Sequence, residues 1–186
     1  VHYEPSRYGV WHKLGGLYQK QNQSYLAIRA YDKAKIHSRT TGVVQRWELI
    51  LEDEGDTPKV RERLENEMTA LLAESNNSPE SMYQAARGYL LLGYNDRAEL
   101  LFQAIFDKEP EGQAAQWTVM DRVQEAVKPR ERVFHLEEFL RVFPDSRRSS
   151  MVYSMLLSTY SELGDAEGIR QTADRMLASE SPLPRD

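Results

Sequence analysis

A spacing close to 34 residues recurs along this chain, and it constrains the fold more than any other feature. Pro110 and Pro144 lie 34 residues apart, and each follows the end of an amphipathic segment. Two Leu-Gly pairs, Leu92-Gly93 and Leu163-Gly164, lie 71 residues apart, which is two such periods plus three residues. A helix that ends on glycine and restarts at once forms a helical hairpin, because glycine accepts the left-handed backbone of a helix C-cap. The spacing therefore predicts an array of helix-turn-helix repeats.

The segment from Tyr8 onward carries the most specific pattern. Its aromatic and small residues stand at fixed intervals on two successive predicted helices: Trp11, Leu14, Gly15, Tyr18, Ala27, Tyr31 and Ala34. This pattern resembles the 34-residue motif of the tetratricopeptide repeat (TPR) family, with a tyrosine in place of the usual phenylalanine. Gly15 and Ala27 are small enough for the two helices to approach each other closely. Asn22 stands where the turn between the helices needs a left-handed residue.

The resemblance implies an all-α fold, a right-handed α-solenoid of about five TPR-like helix-turn-helix repeats. Carrying the period along the chain gives a single repeat domain over residues 1–186, with repeats near 8–41, 42–78, 79–112, 113–149 and 150–183. The second repeat is expected to turn at residues 54–58, with Pro58 in the first turn of its second helix, and the fourth at Lys128-Pro129. The alternative is an irregular helical bundle, which accounts for amphipathic helices but not for the recurring spacing.

Both ends of the sequence have features of a fragment. The sequence begins at Val1 without a methionine, Pro5 stands where a preceding repeat would end, and residues 181–184 are rich in proline. We therefore expect the chain to be a piece cut from a longer protein.

Composition argues against several classes of function. A net charge of −5 argues against nucleic-acid binding, whose usual footprint is a basic surface. No apolar run approaches the ~20 residues needed to span a bilayer, so no membrane insertion is expected. The absence of cysteine excludes disulfides and thiolate sites. It is equally compatible with a soluble protein of the cytoplasm or of the periplasm.

Motifs for catalysis and cofactor binding are also absent from the sequence. It contains no phosphate-binding loop, no zinc-protease motif and no nucleophile elbow. The strongest metal-like pair is His135 with Glu138 on one predicted helix, and isolated pairs of this kind are usually ordinary polar surface residues. We therefore expect no catalytic, cofactor or metal site, and no enzymatic activity.

In TPR arrays the first helix of each repeat lines a concave groove, and the resemblance implies which places in each repeat face it. In the second repeat those places include Val43 and Ile50. The residues predicted to contact a partner are His12, Lys20, Arg46, Tyr83, Arg87, Trp117, Asp121 and Ser154. Tyr83, Arg87 and Trp117 are expected to lie together, and aromatic residues with arginine are enriched at interface hot spots. The alternative for Trp117 is burial in the core after a one-residue slip in helix phase.

The predicted function is a protein-interaction scaffold that binds a peptide or a partner helix in this groove. One alternative is an accessory or regulatory repeat region of a larger enzyme, or of an envelope secretion or assembly machine. Another is a self-assembling repeat protein whose open ends stack on one another. TPR arrays serve many unrelated processes, so the fold alone does not select a partner.

Overall fold

The computed structural model describes residues 7–37 and 42–180, and these residues form ten α-helices. In chain order they are α1 (Arg7–Lys20), α2 (Ser24–His37), α3 (Val43–Glu54), α4 (Pro58–Glu74), α5 (Pro79–Leu91), α6 (Asn95–Lys108), α7 (Gln113–Glu125), α8 (Pro129–Val142), α9 (Ser149–Leu163) and α10 (Ala166–Glu180). The helices pack in sequential pairs, α1 with α2 through to α9 with α10. The described residues therefore confirm the predicted all-α fold of five TPR-like helix-turn-helix repeats.

Short turns join the two helices of each pair, and single residues decide their geometry. Asn22 has a φ of 56° between α1 and α2, which confirms the predicted left-handed turn. Gly93, with a φ of 76°, and Gly164, with a φ of 67°, take the same conformation after α5 and α9. They do so without strain because glycine has no Cβ. Pro58 and Pro129 are the first residues of α4 and α8. At this position a backbone N–H makes no hydrogen bond within the helix, so the N–H that proline lacks is not missed.

Contacts divide the chain into two compact units. Unit 1, Val1–Pro110, contains α1 to α6, and unit 2, Glu111–Asp186, contains α7 to α10. The assignment of all five repeats to one domain stays a prediction. Pro5 and the proline-rich residues 181–184 lie outside the described residues. Within the described ranges, no helix is both long enough and apolar enough to cross a membrane.

The core of unit 1 lies between α3, α4 and α5. Trp47, Leu64 and Met68 are 0% exposed there. Burying a large apolar side chain of this kind contributes about 1.5–3 kcal/mol. A Cβ on Gly88 would lie 2.6 Å from both Met68 Cε and Trp47 Cζ3. Gly88 therefore lets α5 approach α3 and α4 more closely than a residue with a side chain would allow.

The α1–α2 pair shows the same close approach. A Cβ on Gly15 would lie 2.6 Å from Tyr31 Cε1, and Ala27 and Tyr31 are 0% and 2% exposed. Leu49 of α3 joins Ala27 and Tyr31 in one apolar cluster. The prediction that Gly15 and Ala27 are small for packing reasons is confirmed.

Unit 2 has a core of its own. Val119 of α7, Leu136 and Phe139 of α8, and Leu156 of α9 are at most 1% exposed. The ring centroids of Phe139 and Phe143 lie 4.9 Å apart in a tilted arrangement, which aromatic pairs favour over a face-to-face stack. α8 packs against both α7 and α9.

Candidate binding surface

A polar surface lies where α3 and α5 pack side by side in unit 1. Glu48 and Glu52 are one turn apart on α3, and Tyr83 and Arg87 are one turn apart on α5; these four residues are called the α3–α5 polar face. Residues four apart lie on the same side of a helix, so each pair presents both side chains together. Arg87 Nη1 donates a hydrogen bond to Tyr83 Oη at 3.3 Å. The face thus combines two carboxylates, a guanidinium group and an aromatic ring.

Glu48 is the electrostatic centre of this face. Burial raises the pKa of its carboxyl above the ordinary value, and the neighbouring Glu52 carboxylate raises it further. The Arg87 guanidinium acts in the opposite direction, but burial is the largest cause and the pKa remains raised. The negative charge of ionised Glu48 is therefore only partly compensated by the positive charge around it. An additional cationic donor beside it would lower its free energy.

Tyr31 connects the α1–α2 pair to this face. Its hydroxyl donates a hydrogen bond to Gln19 Oε1 at 3.1 Å. Burial raises the pKa of the Tyr31 phenol, and the Glu48 carboxylate raises it further. The phenol therefore stays neutral, and its hydrogen bond fixes α2 against α1.

The predicted partner-contacting residues of unit 1 have different surroundings. His12 is half-buried, with its ring centroid 5.6 Å from that of Tyr31. Lys20 is exposed at the end of α1. Tyr83 is 9% exposed, and its ring centroid lies 6.4 Å from that of Phe102. Lys20 is thus open to a partner, whereas His12 is half-buried and Tyr83 is buried.

Arg46 is engaged between helices. Its Nε donates to Asp32 Oδ1 on α2 at 2.5 Å, and its Nη1 donates to Glu67 Oε2 on α4 at 2.6 Å. Trp47 Nε1 donates to the same Glu67 oxygen at 3.0 Å. The Arg46 side chain is only 18% exposed. It ties α2, α3 and α4 together, and its role toward a partner stays a prediction.

The predicted residues of unit 2 lie on α7 and α9. Trp117 and Asp121, one turn apart on α7, are half-buried. Ser154 is exposed on α9, and its hydroxyl donates to a backbone carbonyl one turn earlier at 3.0 Å. Trp117 is therefore neither fully buried nor fully open. Tyr83 and Arg87 belong to unit 1, and their proximity to Trp117 stays a prediction.

Glu48 and Glu52 are not among the residues that the repeat period selects. The period places Val43 and Ile50 in the groove, but these residues are 2% and 3% exposed and belong to the core around Trp47. Val43, Trp47 and Ile50 mark the inward side of α3, so positions 48 and 52 fall on the other side of the helix. This apolar stripe, rather than the period, is the sequence signal that locates the polar face.

The His135–Glu138 pair does not form a metal centre on its own. His135 Nδ1 lies 3.5 Å from Glu138 Oε2, and this buried nitrogen makes no hydrogen bond. In the part of the chain that the structure describes, no group of three or more histidine or carboxylate side chains is placed to hold a metal ion. Two ligands are fewer than zinc or calcium sites use in proteins.

A second cluster surrounds Tyr94 at the turn between α5 and α6. The guanidinium carbons of Arg61 and Arg97 lie 5.7 and 5.1 Å from its ring centroid, and its hydroxyl donates to Glu65 Oε1 at 3.0 Å. Glu65 also accepts a hydrogen bond from Arg97 at 2.7 Å, and Arg61 Nη1 donates to the Leu92 carbonyl at 2.9 Å. The groups of this cluster satisfy one another and stabilise the turn.

The described helices form five successive TPR-like helical hairpins. The structure of the chain is similar to that of a tetratricopeptide repeat protein from Parabacteroides merdae. The two share 18% sequence identity and a TM-score of 0.45, over 96% of this chain and 68% of that protein. No protein-family profile matches the sequence, and no curated protein matches it.

Proposed function

We propose that this chain is a protein-interaction scaffold and that the α3–α5 polar face is part of its binding surface. In helical-repeat arrays, stacked pairs form an extended surface that accepts a peptide or a partner helix. The observation that carries the proposal is the half-buried Glu48 carboxylate, which stands one turn from the Glu52 carboxylate on α3 and faces the Arg87 guanidinium of α5. An incompletely compensated charge is costly in the free protein, and a complementary partner relieves that cost.

The chemistry of the face favours a partner segment that carries a lysine or arginine next to an apolar side chain. The cation would pair with Glu48 and Glu52 through charge-assisted hydrogen bonds. The apolar neighbour would contact the small part of Tyr83, 9%, that remains exposed. A few anchors of this kind supply most of the affinity of an interface. The proposal gives the chain a binding role and no catalytic one.

Selection from a random peptide library tests the proposal while the natural partner is still unidentified. Enriched peptides would be synthesised, and their dissociation constants would be measured by fluorescence anisotropy. We expect the enriched peptides to contain basic residues, and Glu48→Gln to weaken binding at least tenfold, about 1.4 kcal/mol. Glu62→Gln is the matched control, because it removes an exposed carboxylate from α4 and leaves the polar face intact.

Circular dichroism of each variant confirms that it is folded before binding is compared. Equal affinity of wild type and Glu48→Gln for every selected peptide would show that binding occurs away from this face. If no peptide were enriched at all, peptide binding by the scaffold would be refuted.

A further inference from the structure

Two carboxylates of the α3–α5 polar face stand together on α3. Glu48 and Glu52 are four residues apart, and residues at this spacing have Cβ atoms about 5–6 Å apart on one side of a helix. Glu48 is half-buried and Glu52 is exposed, so a partner's donor approaches from the solvent beside Glu52 and extends to Glu48. The two side chains therefore form one acceptor site rather than two separate ones.

The positive charge that α5 supplies to this site is smaller than the negative charge of α3. The Arg87 guanidinium acts on Glu48 through its charge, and its Nη1 donates a hydrogen bond to Tyr83 Oη at 3.3 Å. A guanidinium group has fewer N–H donors than two ionised carboxylates have acceptor positions, so Arg87 cannot satisfy both. One further cation would balance the charge of the site.

The opposite side of α3 shows how this protein satisfies two carboxylates at once. Arg46 is two residues before Glu48, which is about 200° around the helix. Its Nε donates to Asp32 Oδ1 at 2.5 Å, and its Nη1 donates to Glu67 Oε2 at 2.6 Å. The Arg46 side chain is 18% exposed, so this bridge forms in surroundings that are partly shielded from water, as those of Glu48 are.

On α10 a guanidinium group bridges two carboxylates of a single helix. Arg170 Nη2 donates to Glu167 Oε1 at 2.7 Å, and Nη1 of the same residue donates to Asp174 Oδ2 at 3.2 Å. These two acidic residues are seven positions apart, which is about two helical turns. A guanidinium group therefore reaches carboxylates that are farther apart along a helix than Glu48 and Glu52.

We propose that the cation which the α3–α5 polar face takes from its partner is an arginine whose guanidinium group bridges Glu48 and Glu52. This inference rests on the proposed function and narrows it from basic segments to segments with arginine at one position. A guanidinium group is planar, weakly hydrated and carries N–H donors on several edges, so it donates to both carboxylates at once. A lysine ammonium group is compact and strongly hydrated, and it loses more hydration beside the half-buried carboxylate.

Exchange of arginine for lysine in a bound peptide tests the proposal. The probe is the tightest-binding peptide selected from the random library on the wild-type protein, and each of its arginines is replaced by lysine in turn. Fluorescence anisotropy then measures the dissociation constants. One exchange is expected to weaken binding to the wild type about tenfold. Selected peptides that contain lysine but no arginine would overturn the proposal.

The variant Glu52→Gln tests whether the second carboxylate is the source of this preference. It keeps the Glu48 carboxylate and removes the bridge, so the arginine and lysine peptides should differ by less than about threefold in affinity. Asp53→Asn is the matched control, because it removes an exposed carboxylate of α3 that lies outside the polar face. This control should keep the full preference for arginine. Circular dichroism checks that each variant keeps the helix content of the wild type.

The outcomes separate this inference from the proposed function. Equal affinities for the arginine and lysine peptides, with binding still weakened by Glu48→Gln, would overturn the inference and leave the proposed function standing. So would a preference for arginine that persists in Glu52→Gln, because the guanidinium group would then not need the second carboxylate. Affinities that Glu48→Gln leaves unchanged would refute the proposed function, and the inference with it.

Discussion

Replacing Gly15 by alanine tests whether the close approach of α1 and α2 sets the packing of the first pair. The new Cβ would lie 2.6 Å from Tyr31 Cε1, whereas an ordinary contact is 3.4–4 Å, so the ring or the helix must move by about 1 Å. Tyr31 is 2% exposed, and its hydroxyl is bonded to Gln19, which leaves little room. Overpacking costs about 1–3 kcal/mol, and the better helix propensity of alanine offsets about 1 kcal/mol. We expect a net loss of about 1 kcal/mol.

Gly16→Ala is the matched control on the same helix. Its Cβ would have Tyr31 Oη as its nearest neighbour, at 3.8 Å, which is an ordinary contact. The substitution therefore keeps the gain in helix propensity, about 1 kcal/mol, without the clash. The free energies of unfolding of Gly15→Ala and Gly16→Ala should differ by about 2 kcal/mol.

Urea unfolding followed by circular dichroism measures these free energies. Amide hydrogen exchange of α1 and α2 then locates the change, because local stability differs along a repeat array. Gly15→Ala should exchange faster than the wild type, and Gly16→Ala more slowly. Equal stabilisation by the two alanines would show that Tyr31 moves aside without cost, and the reasoning from close approach would be wrong.

Three further predictions concern single side chains of unit 1. Arg46→Ala leaves the carboxylates of Asp32 and Glu67 without their shared cation and should lower the free energy of unfolding by about 1–3 kcal/mol; an unchanged urea midpoint would contradict this. The pKa of the Glu48 carboxyl is higher in the folded state than in the unfolded state, so this carboxyl stabilises the fold below its unfolded-state pKa. That stabilisation is lost as pH rises through the folded-state pKa. Glu48→Gln should therefore stabilise the fold at pH 7. In thermal melts at several pH values, the gain should disappear below about pH 4, and a gain that is the same at every pH would exclude this cause. Asn22 has a φ of 56°, so Asn22→Ala should cost about 1 kcal/mol and Asn22→Gly should not; equal losses of melting temperature would contradict the left-handed assignment.

The turns and the close helix approaches could be predicted from the sequence because single residue types decide them. Asn22, Gly93 and Gly164 hold left-handed backbone angles that few other residues accept. Gly15 stands where a Cβ would meet a buried ring, and its small size is visible in the repeat motif. In each case the physical constraint acts on one residue, so the residue itself is the signal.

The polar face could not be predicted from the repeat period, because packing against several neighbours sets the rotation of a helix about its axis. α3 turns Val43 and Ile50 inward around Trp47, and this turns Glu48 and Glu52 to another side. The partners of a charged residue are equally hidden in the sequence. The two carboxylates that bind Arg46 stand 14 and 21 residues away along the chain.

Among the described residues, the contacts between helices join neighbours in the chain or helices two apart, such as α3 with α5 and α4 with α6. Folding therefore closes only short loops, and each closure costs little conformational entropy. Proteins with mostly local contacts fold within microseconds to milliseconds, much faster than chains that must pair distant segments. Folding can begin at any pair and spread to its neighbours. During evolution, the gain or loss of one pair would disturb only the pairs beside it.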